Sequence, residues 1–113
     1  MKSQYEPIAP FNKQQSVQEF ASGDTERIVR ALLGATNHES DWEWVESRCL
    51  EYLDSPVQEV RNVAITCLGH LARIHQKINK SRVLAALARH RANPDVAGRI
   101  EDAIDDIEIF VKA

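Results

Sequence analysis

Asp102, Asp105 and Asp106 stand at i, i+3 and i+4, a spacing that places three carboxylates on one face of a helix, where oxygen ligands could hold a hard cation. A calcium site also needs a tight glycine-containing loop, and none accompanies them, so no metal is expected. Glu101 and Glu108 widen this face into an acidic arc with Ile109 near its middle. An apolar side chain inside a charged rim is the arrangement that anchors a basic protein partner; the plainer reading is a solvated helix face.

Other residue types that carry chemistry are poorly spaced for it. His70 and His75 are five apart, which turns them roughly 140° from each other on a helix and prevents a shared metal site. Cys49 and Cys67 form neither a CxxC redox pair nor half of a four-ligand zinc site, and are expected as buried thiols. No Gly-rich phosphate loop is present, and the serines fall at helix starts. No catalytic residue, enzyme activity or cofactor is therefore expected. Arg73, Lys77, Lys80, Arg82, Arg89 and Arg91, with His70, His75 and His90, make segment 61–91 basic enough to meet phosphates. No aromatic is interleaved for base stacking and acidic segments flank it, so nucleic-acid binding is the lesser reading and salt bridges the preferred one.

The elements that would position these groups read as helices, because apolar spacing near 3.6 recurs while sustained alternation does not. Helices are expected over 13–22, 24–36, 41–53, 56–76, 81–92 and 94–112, with joints short enough to make neighbours antiparallel. Ser40 with Glu43, and Ser55 with Gln58, fit a capping box, and Pro56 and Pro94 fit first helical positions. The helix from Pro56 turns Val57, Val60, Ala64, Leu68 and Leu71 inward and leaves Glu59, Asn62, Thr66, His70 and Arg73 along an outer line. In the last helix Val96, Ile100, Ala103, Ile104, Ile107 and Val111 face the core. Trp44, Val45, Cys49, Tyr52 and Leu53 follow core spacing, whereas Trp42 is expected to be exposed for contact.

A shift of 39 residues superposes Val57, Ala64, Ile65, Leu68 and Leu71 on Val96, Ala103, Ile104, Ile107 and Phe110, and a shift of 35 relates Leu33-Gly34 to Leu68-Gly69. Helix pairs repeating at this period suit an alpha solenoid, since one pair cannot bury both faces alone. The stretch Leu53-Asp54-Ser55-Pro56-Val57-Gln58-Glu59-Val60-Arg61, with Ala64, Leu68-Gly69 and Leu71, resembles the second half of a HEAT repeat. Residues 81–112 resemble it less, with Asp106-Ile107 where Leu-Gly would stand, as in a terminal cap. The resemblance implies an all-α, right-handed α-α superhelix of about three antiparallel helix pairs, whose second helices line a concave surface. The outer line of the fourth helix and the acidic last helix would then border one groove.

Small acidic HEAT-like chains are similar to a class of bacterial immunity proteins that neutralise toxins of contact-dependent growth inhibition. The Trp42-Glu43-Trp44 helix start and the acidic ends carry that likeness. It implies a non-catalytic, monomeric module that occludes a basic toxin domain through Glu101, Asp102, Asp105, Asp106, Ile109, Glu59, Asn62, His70, Arg73 and Trp42. Glu39, Asp41, Glu43 and Glu46 could add to the steering charge. A generic HEAT-like scaffold is the alternative.

The chain's 113 residues, 43% apolar and 27% charged, suit a single domain over 1–113, with 1–12 as an irregular arm containing Pro7 and Pro10. Net charge is only -3, yet it is unevenly placed. Residues 1–53 carry five Lys/Arg against nine Asp/Glu, 54–92 seven against two, and 93–113 two against six. No apolar run approaches the roughly 20 residues of a spanning helix, so a cytoplasmic chain without membrane contact is expected.

Overall fold

Side-chain caps decide where four of the helices begin. The computed structural model describes residues 11–112, which form six α-helices and no strand. The Asn12 side chain accepts from the Gln15 N–H (3.0 Å) to start α1 (Lys13–Ala21), and Asp24 accepts from Arg27 N–H (2.9 Å) to start α2 (Thr25–His38). Asp41 caps α3 (Trp42–Tyr52) through Trp44 N–H, and Asn79 caps α5 (Lys80–Arg89) through Arg82 N–H. Each such bond satisfies a donor that the helix cannot, a contribution of about 1 kcal/mol. The third helix thus begins one residue after the expected Ser40 cap. The aspartate is the stronger acceptor, and its pKa is lowered further by Lys13, which donates to it at 3.0 Å.

The remaining two helices, α4 (Gln58–His75) and α6 (Ala97–Phe110), have no side-chain cap and start later than the prolines suggest. Ser55 spends its hydroxyl on Val57 N–H (3.1 Å) and Asn93 its amide oxygen on Asp95 N–H (3.0 Å). These local turns leave Pro56 and Pro94 outside the helices, so neither is a first helical residue. The two N-cap positions are Val57 and Val96, 39 residues apart, so the repeat holds at the helix entrances. The burial pattern is less regular. Ala64 matches Ala103 and Leu68 matches Ile107 as buried pairs, while Val57, expected inside, is exposed and Val96 is buried. The shift of 35 also slips by one: Leu32 is the buried counterpart of Leu68, and Leu33 faces out. Phe11 rests on Gly34, and Asn12 is a cap, so neither belongs to an irregular arm; residues 1–10 lie outside the described part.

Helix α1 packs on α2, α3 on α2 and α4, and α5 on α6, while α4 lies between α2 and α6. The layer α2–α4–α6 therefore runs through the molecule. Contacts of Thr66 with Arg99, Gly69 with Ala103 and Arg73 with Phe110 advance together along both helices, so α4 and α6 are parallel. The radius of gyration of 14.6 Å exceeds the roughly 13 Å of a rounded domain this long, and the extents of 51 × 30 × 22 Å give the molecule one long axis. Leu32, Leu53, Ile65, Leu68, Leu71, Leu87, Ile100 and Ile107 are fully buried along that axis. Each contributes about 1.5–3 kcal/mol.

Glu46 is the unexpected member of the interior. Offered by its sequence position as steering charge, it is only 2% exposed. Its carboxylate accepts from Asn79 N–H (2.6 Å) and from Arg82 Nη1 (3.4 Å), which ties α3 to the first turn of α5. Burial raises its pKa, so the folded state keeps a proton at a pH where the unfolded chain has lost it. That contribution to stability is present below the unfolded pKa and is lost as pH rises through the folded one. Glu46→Gln should flatten this loss over the interval just above the usual glutamate range, measured as urea midpoints at successive pH values. An unchanged profile would contradict a buried titrating carboxylate. Glu46→Ala, which strands Asn79 N–H, should cost about 2–4 kcal/mol.

Candidate functional site

The parallel approach of α4 and α6 creates a groove because the two helices meet through small residues. Gly69 presents no side chain, and Asp106 Oδ2 lies only 3.1 Å from where its Cβ would stand. Ala103 fills the rest of the contact, at 3.4 Å from the same point. The groove above them, about 230 Å³, is lined by Thr66, Gly69 and His70 from α4 and by Arg99, Asp102, Ala103 and Asp106 from α6. Arg99 Nη1 donates to Thr66 Oγ1 (3.3 Å), which holds that guanidinium against the α4 wall.

Of the ten residues singled out in the sequence, the structure gathers His70, Asp102 and Asp106 into this groove. Asp105 and Ile109 continue the α6 face at helical spacing, and Ile109 is 63% exposed. Arg73 lies with its guanidinium 5.8 Å from the Phe110 ring, at the C-terminal end of the pair. Glu59 is exposed near the start of α4, and Asn62 is half-buried on it. Two residues are placed elsewhere. Trp42 is half-buried against the core, because the α3 start folds its indole inward rather than presenting it as an anchor. Glu101 is turned to Arg91, which grips both carboxylate oxygens (2.7 and 3.1 Å) and lowers its pKa. Sequence reasoning missed Arg99 and Gly69 as groove residues; the signal available was the small-residue match of Gly69 and Ala103 on facing helices.

Charge is redistributed by pairing. Three of the seven Lys/Arg in residues 54–92 bind carboxylates: Lys80 with Glu108 (2.7 Å), Arg82 with Glu46 (3.4 Å) and Arg91 with Glu101 (2.7 Å). Lys80 also donates to the Val111 carbonyl (3.2 Å). The basic middle thus answers the acidic ends within the molecule, as the preferred reading of that segment expects. Glu101 and Glu108 are consumed in this way. Asp102, Asp105 and Asp106 make no ion pair among the described residues, so the negative potential of α6 concentrates at the groove and the Ile109 face. No group of three or more His, Cys, Asp or Glu among the described residues is arranged to hold a metal ion, and no helix there is long and apolar enough to cross a membrane.

Comparison with solved structures gives a full-length likeness. A chain in the crystal structure of a CDI complex from Cupriavidus taiwanensis LMG 19424 is 30% identical and superposes with a TM-score of 0.81. The match covers 96% of this chain and 98% of that one. The chain belongs to the same family as that CDI-complex component. No protein-family model matches it, and neither does any curated protein.

Proposed function

We propose that the chain is the immunity component of a contact-dependent growth inhibition pair, a non-catalytic module that binds a cognate toxin domain and blocks it by stoichiometric occlusion. The likeness over nearly the whole length of both chains to a component of a CDI complex carries this reading. The α4/α6 face supports it. Asp102, Asp105 and Asp106, which make no ion pair among the described residues, attract a cationic surface and speed encounter, while Ile109 provides the apolar contact that slows release. The helix pairs act as a HEAT-like stack with α2, α4 and α6 as the successive second helices, rigid enough to bind without reordering. The protein works in the cytoplasm, as a monomer, on a toxin domain with a basic surface.

Co-expression tests this directly. The chain should co-purify at one-to-one ratio with the toxic C-terminal domain of the large secreted protein encoded beside it, and cells expressing that domain should survive only when the chain is present. A toxic domain that neither co-purifies with the chain nor is neutralised by it would overturn the assignment.

A further inference from the structure

Arg73 and Ile74 stand in the last turn of α4, beside the last turn of α6. The two helices run parallel with Gly69 against Ala103, so Ile74, five residues on, and Ile109, six on, lie about 7.5 and about 9 Å further along, at nearly the same height. They flank Arg73 on opposite sides. Arg73 leans toward α6, its guanidinium 5.8 Å from the Phe110 ring. Ile74 is turned about 100° from it and follows Cys67 by about two helical turns, on the flank where the Cys67 S–H donates to the Leu32 carbonyl of α2 (3.7 Å). Ile74 is 48% exposed and Ile109 63%. Arg73 is exposed too and makes no ion pair among the described residues. Two isoleucines with an arginine between them thus form a row across both helices, next to Asp105 and Asp106.

We propose that Arg73 is a specificity-determining residue of the docking face, and that the toxin surface it fits places a carboxylate on Arg73 between two apolar side chains that cover Ile74 and Ile109. The inference rests on the immunity reading and narrows it, from a basic toxin domain to one with an acidic point within its basic surface. A face built only to capture positive charge would gain from a neutral or acidic residue at 73, because Arg73 repels the cations that Asp106 attracts. Its charge therefore disfavours basic proteins in general. Only a partner that supplies the carboxylate recovers the loss, which is how one repulsive element separates a cognate from a non-cognate surface. The two isoleucines would shield that ion pair from water, which makes it worth more than an open surface pair. The Phe110 ring already positions the guanidinium, so less side-chain freedom is lost when the partner docks.

The test compares binding of the cognate toxin domain with binding of polylysine, a cation that carries no side-chain carboxylate. Arg73→Glu should weaken toxin binding about 30-fold and Arg73→Gln about tenfold, while polylysine at low salt binds Arg73→Glu about fivefold more tightly than the wild type. Ile74→Ala should raise the toxin dissociation rate about fivefold, with thermal melts showing that all three variants fold. Among the toxin's carboxylates reversed singly to Lys, one should weaken binding to the wild type and restore most of the binding to Arg73→Glu. Wild-type toxin affinity in Arg73→Glu, unchanged polylysine binding, or a toxin in which no single reversal rescues would each overturn this inference and leave the immunity reading standing. A wild-type chain that does not bind the toxin at all would overturn both.

Discussion

Asp105→Lys with Asp106→Lys should weaken capture of the toxin domain about 100-fold, mostly through a slower association rate. These two carboxylates, with Asp102, are the part of the acidic arc that makes no ion pair among the described residues. Reversing them changes the local potential by four charges, and the remaining association should lose most of its salt sensitivity. Glu101→Lys is the informative contrast. It breaks a bond with Arg91 rather than a free charge, so it should alter affinity far less than the double change. Ile109→Ala should act on the other rate, raising dissociation about tenfold if that side chain is a buried anchor in the complex. Association and dissociation rates at two ionic strengths separate these effects, with thermal melts confirming that the variants fold. Wild-type rates for the double reversal would remove α6 from the interface.

The helices and most of the core were readable in the chain because both depend on periodic burial, which one sequence records directly. Val60, Ala64, Leu68 and Leu71 are buried on α4 as their spacing requires, and Ile100, Ala103 and Ile107 on α6. Helix starts were read less well. Ser55-Pro56 and Asn93-Pro94 have the composition of caps, but their side chains bond within the preceding turn, a competition that composition does not decide. The acidic face of α6 was legible as charge, yet which carboxylates stay free depends on where Lys80 and Arg91 fall after folding. Glu46 shows the same limit more sharply. Nothing in the adjacent Trp44, Val45, Ser47 and Arg48 marks it, and only the arrival of Asn79 and Arg82 from 33 and 36 residues away makes it a buried acceptor. The groove itself was implied by the HEAT resemblance rather than by any one motif. Its depth comes from an absent side chain, at Gly69.

Gly69 accordingly marks a position where a single substitution should act on both fold and face. In Gly69→Ala the added carbon meets the Asp106 carboxylate at 3.1 Å, a mobile group that can swing aside, and Ala103 at ordinary contact distance. Alanine also favours a helix interior by about 1 kcal/mol over glycine, so the net change in stability should be small. Gly69→Leu is different in kind. Its branched end has no space between α4 and the Ala103 backbone, and the two helices must separate along their parallel contact. The cost should be about 2–3 kcal/mol, a fall of roughly 10 °C in the melting temperature. Separation also moves Asp106 away from His70 and Thr66, so toxin affinity should drop in Gly69→Leu while Gly69→Ala keeps most of it. A leucine variant that melts and binds like the wild type would mean that α4 and α6 do not approach through this glycine, and the groove would lose its floor.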